Sequence, residues 1–280
     1  MEHLLSVSFD NITSKDFPRI RKGLKQIEGL LAQICLSKPA EASQSRHRRT
    51  NSAVAPSSSP SKGKQLAHLP EDPAFREFFR LQEGFEWNIA SRLITCLEWL
   101  LSIRDGHGDS LIMAALDILQ GILLLHPPSR SHFAREIYMN LLLDLIDYID
   151  TPAIQCRSLL VLVTALLSTP ANTRTFEDAD GLLAVTSLFK SSDTAPSVKL
   201  KLMEFFYFYL MPETPSRGSS RLFGAFEKRS ERGSKGEDAR TRTIEEKQQS
   251  LGQHLSNVQD LVEDLRENMP FGEGGGVAIA

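Results

Sequence analysis

Shifted by 43 residues, this sequence lies over itself. The stretch "TPANTRTFEDADGLLAVTSLFK" at 169–190 covers "HPPSRSHFAREIYMNLLLDLID" at 126–147 without a gap, so that Pro127 falls on Pro170, Phe133 on Phe176, Met139 on Leu182, Leu142 on Val185 and Leu145 on Leu188. The segment before it occurs three times, as "DSLIMAALDILQGILLL" from 109, "PAIQCRSLLVLVTALLS" from 152 and "APSVKLKLMEFFYFYLM" from 195. There Leu116, Leu159 and Leu202 share one register, Leu119, Leu162 and Phe205 a second, and Leu123, Leu166 and Tyr209 a third. Steps of three and four residues put these rows on one helix face.

Each unit therefore reads as a long helix, a Pro turn and a second helix. A period of about 40–47 residues built from packed helices is that of armadillo and HEAT arrays. The fold class expected is all-α: an armadillo/HEAT-like helical solenoid over 70–212. The alternative is a helical bundle in which the spacing is accidental, since arrays usually need three or more copies. In the quoted stretch Asn172 or Thr173 is placed to accept from a helix-start N–H, Phe176 to plug the short helix, and Gly181 to let the backbone turn.

Outside the repeat the helical pattern continues in another register. Within 1–36, "SKDFPRIRKGLKQIEGLLAQICL" spaces Phe17, Ile20, Leu24, Ile27, Leu31 and Ile34 helically, opened by Asp16, and predicts an amphipathic helix that docks on the repeat core. "EDPAFREFFRLQEGFEWNIASRLITCLEWLLSI" starts on Asp72 and Pro73 and bends at Gly84; its Phe75, Phe78, Phe79, Phe85, Trp87 and Trp99 read as core. At 243–269, Thr243 and Glu246 form a capping box, and Leu251, Leu255, Val258, Val262 and Leu265 line an amphipathic helix. That helix has two possible destinations, this chain's own core or a partner's groove. Residues 270–280 read as a flexible tail.

Charge separates these helices from what joins them. The stretch 37–69, rich in Ser and Pro, carries six basic residues against Glu41, and 213–242 carries eight against five acidic ones. The rest of a chain whose total is −3 is left at −11. Both basic segments bury too little apolar surface to offset the entropy of ordering and are expected to be disordered. The first sets His47, Arg49 and Ser52 at the H-x-R-x-x-S spacing that basophilic kinases read. Ser59 before Pro60 and Lys62, and Thr214 before Pro215 and Arg217, have the pattern of a proline-directed kinase. A phosphate at Ser52, Ser59 or Thr214 would remove up to about two units of local positive charge.

Several chemistries are excluded by spacing. Cys35, Cys96 and Cys156 form no CxxC pair, and a reduced intracellular chain fits them. A Cys-dependent phosphatase needs Arg six residues after its nucleophile, where this chain has Glu41, Ser102 and Leu162. The seven histidines form no HExxH or zinc-spaced cluster, and His126 with His132 reads as a solvated turn. The "FGEGGG" at 271–276 precedes no helix and is no phosphate loop. No catalytic, cofactor or metal residue is expected. "MEHLLSVSFD" lacks the pattern of a secretory signal, and "LLVLVTALL" is about half the roughly 20 residues of a membrane span, so no membrane insertion is expected. Net charge near balance argues against nucleic-acid coating.

The stretches "LVLVTALLSTPANTRTFEDADGLLAVTSLFK", "VKLKLMEFFYFYLMPETP", "FFRLQEGFEWNIASRL" and "EEKQQSLGQHLSNVQDLVEDLRENMPFG" resemble the fungal cell division control protein family of the septation initiation network. The family shares its name with an unrelated phosphatase. The likeness runs from about residue 14 to about 272, with the insert at 37–69 outside it. It implies a non-catalytic subunit that binds a protein kinase of the germinal-centre type in the cytoplasm, at the spindle pole body, and promotes septum formation and cytokinesis. A second reading from the residues is an adaptor that binds basic peptide cargo along an acidic face.

Overall fold

The computed structural model describes residues 1–36, 66–103, 106–148, 151–213, 241–260 and 263. Every regular element among them is helical, with no strand, and the fold is all-α. The chain divides into two compact units, Met1–Asn88 and Ile89–Ala280. Residues 70–88, read from sequence as part of the repeat core, thus belong with the N-terminal helices.

The first unit opens with a helix hairpin, α1 (Glu2–Ile12) and α2 (Phe17–Leu36). Lys15 makes the turn between them in the left-handed region, at φ 56°, and Asp16 accepts the Arg19 amide to start α2. The two helices approach so closely that a Cβ on Gly23 would sit 2.8 Å from the Ser8 carbonyl oxygen. Leu5, Phe9 and Ile12 of α1 are buried with Ile20, Leu24, Ile27 and Ile34 of α2, while Leu30 takes the buried place expected of Leu31. A 3-10 helix, Leu66–Glu71, begins inside the stretch read as a disordered insert and buries Leu69. The rest of that insert, with Ser52 and Ser59, lies outside the described residues. Helix α3 (Pro73–Glu83) starts as its sequence demands, Asp72 accepting the Ala74 amide at 2.7 Å with Pro73 at N1. Gly84 then breaks the chain into a short 3-10 turn, Phe85–Trp87, locked by Gln82 donating to the Trp87 carbonyl and Asn88 donating to that of Gln82. That turn leaves Phe85 80% exposed, which corrects its reading as core.

The second unit holds α4 (Ile89–Ile103), α5 (Asp109–Leu125), a 3-10 helix Pro127–Ala134, α6 (Glu136–Ile146), α7 (Pro152–Leu166), α8 (Pro170–Asp178), α9 (Gly181–Lys190), α10 (Pro196–Leu210) and α11 (Ile244–Gly252). Within it α5 packs on α7 and α7 on α10, and the 3-10 helix packs on α8. Leu116, Leu159 and Leu202 are all buried, as are Leu119, Leu162 and Phe205 in the next register. Phe133 and Phe176 are both fully buried, and Phe176 meets Phe205 edge-on with ring centroids 5.5 Å apart.

The turns are where side chains do something the pattern did not show. A proline just past a long helix cannot continue it, so the last carbonyls of α5 and α7 need other donors. Buried Arg130 supplies two, from Nε to Leu123 O of α5 at 3.0 Å and from Nη1 to Leu167 O just after α7 at 2.9 Å. Asn172 donates Nδ2 to Ala165 O and back to Arg130 O, at 2.7 and 2.8 Å. It therefore satisfies a helix end rather than capping a helix start, and α8 has no side-chain cap. At the opposite ends of the same helices Asp109 accepts from Thr151 Oγ1 at 2.7 Å and Tyr148 OH at 3.2 Å. Gly181 is not the turn residue either. Asp180 takes the left-handed conformation at φ 56°, and Gly181 is helical; a Cβ there would lie 2.2 Å from the Phe176 ring.

His126, read as a solvated turn residue, is 1% exposed, its Nδ1 2.8 Å from Ser129 Oγ. Burial, reinforced by His132, pulls its imidazole down to about 4. A folded-state value below the unfolded one makes the neutral ring the native form. Its contribution is complete above the unfolded value and is lost as pH falls toward the folded one. Denaturant titrations at pH 7 and pH 5 should differ by on the order of 2 kcal/mol from this group, and His126→Gln should remove that part of the difference. Independently, Phe176→Ala should cost about 3–5 kcal/mol in the same titration, and an unchanged midpoint would refute its role as a core plug.

Candidate interaction surfaces and the ion-pair clamp

The closing helix, α11, docks on this chain's own second unit. The capping box forms as the sequence predicts, Thr243 Oγ1 accepting from the Glu246 amide and Glu246 Oε2 from that of Thr243. The helix ends at Gly252, however, where a single span over 243–269 was expected; the chain turns before a short helical stretch at 258–260. Glycine is a poor helix former, costing about 1 kcal/mol against alanine, and the break lets Gln248 Nε2 reach Gln259 Oε1 at 2.5 Å. Leu251, Leu255 and Val258 are buried regardless, so the apolar stripe survives the loss of helix. Val262 and Leu265 lie outside the residues whose side chains are described.

Beneath α11 sits a cluster of charges. Lys247, only 4% exposed, donates Nζ to the carbonyls of Tyr209 at 2.8 Å and Met211 at 3.0 Å, stands 3.1 Å from Glu213, and lies over the Tyr209 ring. Glu213 also meets Arg174 at 2.5 Å and accepts the Arg242 amide at 2.9 Å. Glu177 pairs with Arg174 at 3.3 Å and with Arg242 at 2.8 Å, and accepts from the Tyr209 hydroxyl. Burial raises the Glu177 carboxyl and lowers the Lys247 ammonium, and it raises the Tyr209 phenol with help from the bond to Glu177. Both ends of the stretch read as a basic linker over 213–242 are thus ordered by this clamp, while Thr214 lies outside the described residues. The sequence signal was slight: "EEKQQ" reads as a solvated face.

Lys247→Met deletes the buried ammonium and orphans two carbonyls while Glu213 keeps Arg174. It should cost about 2–4 kcal/mol in a denaturant titration and loosen α11 first, seen as faster amide exchange over 244–252 than over α7. An exchange pattern identical to wild type would show that the clamp does not hold the helix.

One face of the long helices stays outside. With Leu116, Leu159 and Leu202 turned inward, the opposite register brings Asp117, half-buried Leu160 and half-buried Met203 to the surface. Leu124 at the end of α5, Leu167 just after α7 and Leu200 of α10 are 44%, 38% and 61% exposed. Arg157 crosses from α7 to Asp117 of α5 at 2.9 Å, the one ion pair between long helices among the described residues. Elsewhere the Cys96 thiol is buried and pushed up to about 12, and no group of His, Cys, Asp and Glu among the described residues is arranged to hold a metal ion. No single helix among them is long and apolar enough to cross a membrane.

No solved structure matches this fold. The chain is similar to cell division control protein 14 of Schizosaccharomyces pombe (strain 972 / ATCC 24843), 27% identical over 283 residues that cover 98% of each chain. The profile of one family, described as cell division control protein 14, SIN component, matches residues 1–271. A match of that extent includes both compact units, the repeat turns and the clamp, and on it the chain belongs to the cell division control protein 14 family, a component of the septation initiation network in cell division.

Proposed function

We propose that this chain is a non-catalytic scaffold subunit whose armadillo-like stack of helices binds a protein kinase of the germinal-centre type, in the cytoplasm and at the spindle pole body. Family membership supports the process, septation and cytokinesis. The observation that carries the binding role is that Leu124 at the end of α5, Leu167 just after α7 and Leu200 in the first half of α10 are leucines left partly in water. Each leaves apolar surface that a partner's apolar face would cover. Phosphorylation at Ser52, Ser59 or Thr214 would tune this role through charge rather than through the fold.

Leu167→Asp together with Leu200→Asp should leave the chain folded, because most of Leu200 and more than a third of Leu167 already face water. In tagged-chain purification from dividing cells, a kinase recovered in stoichiometric amount with wild type should fall at least about tenfold with the double variant, the effect of roughly 1.4 kcal/mol of lost binding. A mixture of basic proteins in place of a kinase would favour the cargo-adaptor reading. A kinase retained undiminished by the double variant would place its site on another surface.

A further inference from the structure

Helices α5, α7 and α10 end in the same way. Behind α5, the 3-10 helix Pro127–Ala134 brings Arg130 Nε to Leu123 O at 3.0 Å. Behind α7, α8 brings Asn172 Nδ2 to Ala165 O at 2.7 Å, and behind α10, α11 brings Lys247 Nζ to Tyr209 O at 2.8 Å. Leu123 and Tyr209 hold the same place in the 43-residue register. After each donor comes a large apolar side chain that is fully buried: Phe133 three residues after Arg130, Phe176 four after Asn172 and Leu251 four after Lys247. Steps of three or four keep donor and plug on one side of a helical turn. The chain then bends, and a further buried apolar residue stands six, six and seven positions beyond the plug, at Met139, Leu182 and Val258. The longer third bend holds one more, Leu255. The break at Gly252 thus falls where α8 gives way to α9, and the helical stretch at 258–260 stands where α9 begins.

In two respects α11 is unlike the short helices before it. Its far side is polar, with Glu245, Gln249, Gln253, Asn257 and Asp260 exposed, as the last member of a helical array requires. Its anchor also differs. Arg130 bonds the ends of both α5 and α7 and Asn172 reaches back to Arg130, so the first two seats are tied to each other. The clamp holds α11 instead, and there Arg174, Arg242 and Lys247 face two carboxylates, Glu177 and Glu213. Arg174 Nε is buried and meets no acceptor among the described residues. The closed arrangement therefore carries a desolvation cost that opening to water relieves.

We propose that 244–258 is the second half of a third repeat and forms a releasable end cap, which leaves its seat as one unit while α5 to α10 stay folded. Release leaves the carbonyls of Tyr209 and Met211 and the Glu213 carboxylate without the Lys247 ammonium, so the end of α10 is a closed surface or an open one according to the state of a single short helix.

Hydrogen exchange on the full-length chain tests this. In wild type the hydrogen-bonded amides from Lys247 to Leu255 should share one opening free energy and exchange at least about tenfold faster than those in the middle of α7. Leu251→Ala, which removes the plug and alters no charge, should speed that whole set by a common factor of at least about ten and leave α7 and α8 as they were. Val258→Ala, beyond the bend, should speed the same set by a smaller common factor. Wild-type amides in α11 as slow as those in α7 would overturn the proposal. Acceleration of α7 or α8 to the same extent as α11 would overturn it as well, because the helix would then open only with the array. So would a Val258→Ala variant that speeds His254 and Leu255 but not the amides of α11, since the turn and the helix would be separate pieces.

Discussion

A long helix that stops at a proline has carbonyl groups to satisfy and no backbone left to satisfy them with. Here that problem is solved between neighbouring helices. Arg130 bonds the end of α5 and the end of α7 with one guanidinium, and Asn172 bonds the end of α7 and reaches back to Arg130. The arginine also sits where two helix dipoles present their negative ends, which favours a buried cation that would otherwise be costly. Everything downstream of the turn follows from its being held: the position of Phe176, its edge-on contact with Phe205, and the approach of α9 that only Gly181 permits.

The rows of leucine and phenylalanine were legible because burial repeats with the helix. Pro73 was legible as a helix start, since proline at N1 is a local preference, and Pro127 and Pro170 as turns. The polar residues were not. Whether Asn172 caps a start or ends a neighbour depends on a carbonyl that reaches it only after folding, and Arg130 carries no periodic signal at all. Helix α1 was passed over although Leu5, Phe9 and Ile12 repeat at helical spacing, because a short stretch without its partner is ambiguous. The basic segments were legible as composition, but their margins at Leu69, Glu213 and Arg242 were not, since an anchoring contact is made by residues that look like the linker itself.

The clamp under α11 is an expensive way to attach a helix. Buried charges seldom add stability over apolar residues of the same size, and both Glu177 and Lys247 are pushed toward neutrality by burial. What the arrangement adds is selectivity. An apolar stripe of Leu251, Leu255 and Val258 would settle on many surfaces, whereas an ammonium that must find two carbonyls and Glu213 at once accepts only one register.

Glu213 and Arg242 meet in that clamp, one leading into the connecting segment and the other leading out. A chain whose ends are stapled together feels little of what lies between them, because the entropy of closing a loop grows only with the logarithm of its length, roughly 0.6 kcal/mol for each doubling. A change in the number of residues between the two therefore costs the closed loop little, so long as the clamp that joins its ends holds.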